Sequence, residues 1–174
     1  MDANIVVQSG VVRLRRTTEA DADFVLQTEQ DADNSPFVTQ WSRQRHLAAI
    51  VDEDKAHLTV EAVDGERPAG YLILAGLTGP DRSIELMRIA VAEKRRGFGR
   101  EALRLVARLA FETLGAHRLW LDVLEHNERA RRLYESEGFV REGLLREAAL
   151  VDERFESLIV MSMLEGEYSP PASR

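Results

Sequence analysis

The chain has 174 residues, 44% of them hydrophobic and 30% charged, with a formal net charge of −7 and no cysteine. That length and composition suit one globular domain with a substantial core. The acidic balance disfavours nonspecific binding to nucleic acid or an anionic membrane and tolerates a cationic substrate, while the missing thiol excludes disulfides, thiolate metal sites and a cysteine nucleophile. Residues 1–10 lack a basic start leading into an apolar run and are expected to be a flexible N-terminus, not a signal peptide. No apolar run approaches the ~18 residues of a membrane span, so a cytoplasmic location is expected.

In chain order, Val11 to Arg16 alternates as a first strand. Thr18 and Asp21 match a helix capping box, followed by an apolar face at Phe24, Val25 and Leu26. Asn34-Ser35-Pro36 reads as a turn, and Ser42 as the cap of a second helix that turns Leu47, Ile50 and Val51 inward. His57 to Val63 and Ala69 to Leu77 read as strands joined by an Asp64-Gly65 hairpin turn. After a turn at Thr78 to Asp81, Ser83 to Val91 is the next strand. From Arg100 to Leu114 the apolar residues at 103, 106, 109, 110 and 114 repeat at helical spacing, and Gly115 is a stop. Leu119, Leu121 and Val123 alternate in a strand, Asn127 caps a short helix ended by Gly138, and Phe139 to Leu145 and Arg154 to Leu164 close the domain. The domain is expected over residues 11–164, with residues 165–174 a frayed tail. The order predicts a mixed α/β fold, a sheet flanked by helices with a right-handed βαβ crossover from Ser83 to Val123.

The turn Glu93-Lys94-Arg95-Arg96-Gly97-Phe98-Gly99-Arg100 ends a strand and opens a helix. Glycines there permit a sharp bend and close approach to a bound group, and a helix start offers unsatisfied N–H donors and partial positive charge. Together these make a phosphate site. Arg95, Arg96 and Arg100 crowd the positive end of the helix, so an anion is expected among them.

Two stretches carry a resemblance. Arg95-Arg96-Gly97-Phe98-Gly99-Arg100 is similar to the Arg/Gln-x-x-Gly-x-Gly/Ala pyrophosphate loop of the GCN5-related N-acetyltransferase (GNAT) family. Asn127-Glu128-Arg129-Ala130-Arg131-Arg132-Leu133-Tyr134, continuing to Gly138-Phe139, resembles that family's second signature, one helix and one strand later. Gly138-Phe139-Val140-Arg141-Glu142-Gly143-Leu144-Leu145-Arg146 resembles the ribosomal-protein and polyamine acetyltransferase branch. The resemblance implies a mostly antiparallel sheet with a splayed pair of parallel strands, acetyl-CoA as cosubstrate, no metal, and a small-molecule or peptide amine as acceptor.

It also implies roles. The backbone of Arg96 to Glu101 would hold the pyrophosphate, with Gly97 and Gly99 keeping side chains away. Ile89, Ala90 and Val91 would pair with the pantetheine arm, and the N–H of Ile89 or Val91 would hold the developing oxyanion. Asn127 would cap its helix and touch the arm near Ala130. Tyr134 would give the departing thiolate a proton or a hydrogen bond, as a phenol can. Glu85, four residues before Ile89, is the candidate base for an acceptor ammonium, with an exposed or substrate-binding acid the alternative. Asp122, Glu29 or Asp31 would instead bind a cationic acceptor. The four histidines show no metal-ligand spacing and are expected at the surface or in loops. Trp41 is expected to pack, or to line the acceptor pocket. Dimerisation through the late strands is a further expectation. The rivals are a non-catalytic acyl-CoA-binding module on the same fold and a dinucleotide site, the latter lacking a full Gly-x-Gly-x-x-Gly.

Overall fold

The computed structural model describes residues 5–170. Strands β1 (Ile5–Gln8), β2 (Val12–Arg16), β3 (Lys55–Ala62), β4 (Arg67–Ala75), β5 (Ser83–Val91), β6 (Arg118–Leu124), β7 (Val140–Val151) and β8 (Arg154–Leu164) form one sheet in the order β1-β2-β3-β4-β5-β6-β8-β7. Every neighbouring pair is antiparallel except β5 and β6. Helices α1 (Ala22–Gln30), α2 (Arg43–Ile50), α3 (Phe98–Arg108) and α4 (Glu128–Ser136) flank it. The expected mixed, mostly antiparallel sheet with one splayed parallel pair is the observed one.

Alternation of side chains across a strand divides the molecule into two cores. Leu72 and Leu74 join Leu103, Val106 and Leu109 beneath α3, whereas Tyr71 and Ile73 join Val25 and Ala49 beneath α1 and α2. On β5 the alternation is interrupted. Ile73 pairs with Arg88 but Leu74 pairs with Leu86, leaving Met87 as an extra, bulged residue. A bulge reverses the facing of everything beyond it. Ile84 and Leu86 therefore point to the α3 core, while Ala90 points to the α1–α2 core. Glu85, Arg88 and Ala90 thus come to share the α1–α2 face, a parity an unbroken strand would forbid.

β5 and β6 pair only from Ser83↔Arg118 to Glu85↔Trp120, while β6 stays bonded to β8 as far as Leu124↔Leu158. Beyond Glu85 the two strands diverge, and a gap opens between Met87–Val91 and Asp122–Leu124.

Several expectations need correction. Ile5–Gln8, placed in a flexible terminus, pairs with β2 as an edge strand; residues 1–4 lie outside the described residues. Strand β7 runs six residues past Leu145, to Val151. Its turn uses Asp152 and Glu153 at φ 45° and 63°, a two-residue hairpin turn without the glycine that usually signals one. On α2 the inward residues are His46 and Ala49, and Val51 is 79% exposed. His46 and His57, expected near the surface, are both buried. The tail is ordered as far as Tyr168, whose ring stacks on Phe111 and whose hydroxyl donates to Glu112 at 2.7 Å; residues 171–174 lie outside the described residues.

Gly70 pairs with Val91 across the sheet, and a Cβ there would sit 2.5 Å from the carbonyl oxygen of Ala90. Both atoms belong to paired backbone, so relief requires β4 and β5 to separate. Gly70→Ala is expected to lose about 1–3 kcal/mol by overpacking and to lower activity, since it disturbs the β5 edge at Val91. Thermal melts and initial rates check both effects.

Candidate active site at the gap between β5 and β6

The phosphate end of the site is built at the start of α3. Gly97 takes φ +78°, a left-handed conformation in which a side chain is strained, and the space its Cβ would enter is open. No side chain caps the helix, and the N–H groups of Phe98, Gly99 and Arg100 have no backbone acceptor among the described residues. These three donors are free to receive an anion. The N–H of Glu101 is not among them, since it donates to the Gly97 carbonyl at 3.0 Å. Gly99 is not demanded by packing: a Cβ there would meet Val91 Cγ2 at an ordinary 3.5 Å.

The expectation that three arginines await an anion is also corrected. Arg96 pairs with Glu93 and Asp64, each at 2.9 Å, and its guanidinium lies over Phe98. Arg100 pairs with Glu137 and donates to Ser136 at 3.0 Å. Only Arg95, exposed and held at φ 62°, makes no ion pair among the described residues. The positive helix end is thus partly neutralised by the protein's own acids, and the case for an anion rests on the backbone donors.

The edge of β5 forms the middle of the site. The N–H of Ala92 donates to Ala69 on β4 at 2.8 Å. In an antiparallel pair alternate residues turn both backbone groups to the same side, so those of Ile89 and Val91 face the gap. The side chains of Ile89 and Val91 pack against the α3 core and that of Ala90 against the α1–α2 core, which leaves the N–H groups of Ile89 and Val91 clear, while the Val91 carbonyl accepts from Asn34 Nδ2 at 3.1 Å.

The chemical end gathers three residues from three elements. Tyr134 is 8% exposed, with its ring 6.0 Å from Phe139, and its hydroxyl has no hydrogen-bond partner among the described residues. Burial, with the charge of Asp122 second, pushes its phenol up to about 12. Gly138 at φ +96° ends α4 and lets the Phe139 N–H return to the Tyr134 carbonyl at 3.0 Å, which fixes this turn of the helix. Asn127 caps α4 as expected, its side chain accepting from the Ala130 N–H at 3.2 Å. Half-buried Glu85 has its carboxyl raised by burial and then by Asp122, and Asp122 on β6 is raised by burial. Neither carboxylate has a cationic partner among the described residues.

Glu29, weighed above as a cation-binding acid, is excluded from that role. It is fully buried and fully committed. One oxygen accepts from Tyr71 Oη at 2.5 Å and from Arg88 Nη1 at 2.8 Å, and the other from the Trp41 N–H at 2.9 Å. Burial alone would raise this carboxyl, but these bonds together with neighbouring His46 hold it below its usual value. Arg88, which the sequence did not single out, also donates to the Thr39 carbonyl at 2.7 Å and lies over Trp41, which packs inside the α1–α2 core. His46 Nδ1 and His57 Nε2 lie 3.1 Å apart, and burial first, then the neighbouring His46, pushes His57 down to about 4.

Comparison with known proteins agrees with this geometry. The model of the acetyltransferase (GNAT) family matches residues 22–139. A spermidine N(1)-acetyltransferase of Escherichia coli strain K12 is 25% identical over 168 residues, 90% of this chain and 88% of its own. Another, from Vibrio cholerae, is 33% identical over 88 residues, so that the match spans 50% of this chain and 51% of that one. The crystal structure of spermidine N-acetyltransferase from Vibrio cholerae in complex with CoA and spermine shares the fold with a TM-score of 0.82, at 24% identity over 92% of this chain and 99% of that one. The chain belongs to the acetyltransferase (GNAT) family, and it is an acetyl-CoA-dependent N-acetyltransferase, the activity that its two motifs imply.

Proposed function

We propose that the acceptor is a polyamine, acetylated on a primary amine by direct attack while both substrates are bound. The observation that carries this reading is the pair Glu85 and Asp122, two carboxylates without a cationic partner among the described residues, set in the gap beside Tyr134. Like charges held close in a partly dry site favour a multiply charged cation. The spermidine N-acetyltransferase relatives support the same class.

Each part of the site has a task. The N–H groups of Phe98, Gly99 and Arg100 bind the donor's diphosphate, aided by Arg95. The free edge of Ile89–Val91 aligns the pantetheine arm, and Asn127 flanks it. Glu85 takes the proton that an ammonium must lose before its nitrogen can attack. The N–H of Ile89 or Val91 steadies the carbonyl oxygen as it becomes negative. Tyr134 donates to the sulfur as the carbon–sulfur bond breaks; the nitrogen sheds its second proton as the amide forms, that proton and the one on Glu85 pass to solvent, and Tyr134 regains its own from solvent. The acceptor takes the acyl group directly, with no acyl-enzyme. A homodimer belongs to the same reading, formed through the β7–β8 hairpin, where Leu150 and Phe155 are 61% and 67% exposed.

Thiol release from acetyl-CoA across spermidine, spermine, lysine and an N-terminal peptide tests the proposal. Turnover with the polyamines at least about tenfold above the peptide is expected, since one charge contact more in a dry site is worth at least ~1.4 kcal/mol. Release with the peptide alone would overturn the acceptor class. Donor binding without release on any amine would favour the non-catalytic module.

A further inference from the structure

Asn34 lies in the segment between α1 and α2 and is 5% exposed, with every polar atom of its side chain engaged. Its amide nitrogen donates to the carbonyl of Thr28 at 2.8 Å and to that of Val91 at 3.1 Å. Its oxygen accepts from Lys94. Two carbonyls on one side and an ammonium on the other admit only one orientation of the amide. One side chain therefore ties together the end of α1, the donor-facing edge of β5 and the phosphate loop.

These contacts fall on two different substrates' territory. Val91 ends the backbone edge along which the pantetheine arm runs, and its carbonyl keeps a second lone pair for the arm. Lys94 belongs to the turn that receives the diphosphate and is half-buried; burial lowers its affinity for a proton, Asp31 and Asp33 work against that, and Arg129 of α4 adds to it. On the other side, the segment that carries Asn34 also meets β5 on the face of Glu85, where we place the acceptor. Its carbonyl at Thr39 is held by Arg88, and Arg88 follows Glu85 on the same face of the bulged strand.

We propose that Asn34 is a positioning residue that couples the donor and acceptor sites. A diphosphate on the loop fixes the turn that carries Lys94, and with it the Lys94–Asn34 bond. Lys94 and Val91 then hold Asn34, and Asn34 holds the segment between α1 and α2 in its amine-binding position. Coupling of this kind is reciprocal: donor and acceptor strengthen each other's binding by the same factor. The inference rests on the polyamine reading above.

The test is calorimetric titration of spermidine into the protein, with and without saturating CoA, which cannot react. Spermidine is expected to bind the CoA-loaded wild type about 5-fold or more tightly than the free protein. In Asn34→Ala this ratio falls to about 1. A purely structural asparagine would lower the melting temperature and leave the ratio alone. Should Asn34→Ala not fold, Lys94→Met, which removes one bond to the same amide from a half-buried loop side chain, is expected to reduce the ratio as well. An unchanged ratio in the variants, or a ratio of 1 in the wild type, overturns the coupling role while leaving the acetyltransferase reading in place. Failure of wild-type protein to bind CoA or spermidine at all would overturn the functional reading and this inference with it.

Discussion

Tyr134→Phe is expected to lower kcat by about 10²- to 10³-fold, the usual worth of a positioned acid, while the dissociation constant for acetyl-CoA changes less than about threefold. The hydroxyl is the only atom removed, and it has no partner among the described residues whose loss would disturb the fold. Removing a hydroxyl that makes no hydrogen bond within the described residues costs no internal hydrogen bond, so the melting temperature should hold. The phenol at about 12 shapes the role. At neutral pH it is fully protonated and always available to donate, but full transfer to a thiolate with a pKa near ~8.5 is uphill in the ligand-free site. The role proposed for Tyr134 is therefore chiefly a hydrogen bond to the sulfur that strengthens as the carbon–sulfur bond breaks and negative charge develops there. Steady-state rates with a separate binding titration check the split. A variant with wild-type kcat would remove Tyr134 as the acid.

Glu85→Gln is expected to cost about 10²-fold in kcat/KM and to change the pH profile in a defined way. Glu85 must be ionised to accept a proton, and burial with Asp122 holds its carboxyl above the ordinary value. The wild-type acid limb in kcat/KM therefore lies above the usual glutamate range, and activity is lost as pH falls through the raised pKa. The amide cannot titrate, so that limb disappears. Asp122→Asn removes a charge that raises both Glu85 and Tyr134, so its limb should move to lower pH. An acid limb unchanged in both variants would contradict the assignment.

The same two carboxyls make a stability prediction. Their folded pKa values are raised, so the folded state binds these protons more tightly than the unfolded chain. The stabilisation is complete below the unfolded pKa and is lost as pH rises through the folded one. At neutral pH the pair is a cost to the empty site, which an acceptor cation offsets. Asp122→Asn should melt no lower than wild type at pH 7, although it weakens acceptor binding, and spermidine should raise the wild-type melting temperature.

What the sequence revealed and what it hid follow from the range of the forces involved. The phosphate turn and α4 were legible because their signals are local. Gly97 needs its positive φ, Asn127 caps the helix that carries Tyr134, and Gly138 ends it. The βαβ unit was legible because α3 keeps its apolar face in helical register. The bulge at Met87 was not, since nothing in the run Ser83 to Val91 marks where the strand gains a residue, yet that bulge puts Glu85 and Arg88 on one face. Buried polar residues misled for a related reason. His46, His57 and Glu29 look like surface side chains one at a time. They are buried against partners that lie 11 and 42 residues away in the sequence. The arginines of the phosphate turn looked free because Asp64 and Glu137, which neutralise Arg96 and Arg100, come from elsewhere in the chain. Gly70 did carry a usable signal: a glycine inside an apolar strand often marks close backbone approach.

Donor and acceptor are proposed to meet in the gap between β5 and β6. A crystal structure with CoA and spermidine bound tests it most directly. It should show the diphosphate on the N–H groups of Phe98, Gly99 and Arg100, the arm along Ile89–Val91, the sulfur within hydrogen-bonding reach of Tyr134, and an amine beside Glu85 and Asp122. A nucleotide lodged elsewhere, or Met87–Val91 closed against Asp122–Leu124 with the ligand bound, would contradict it.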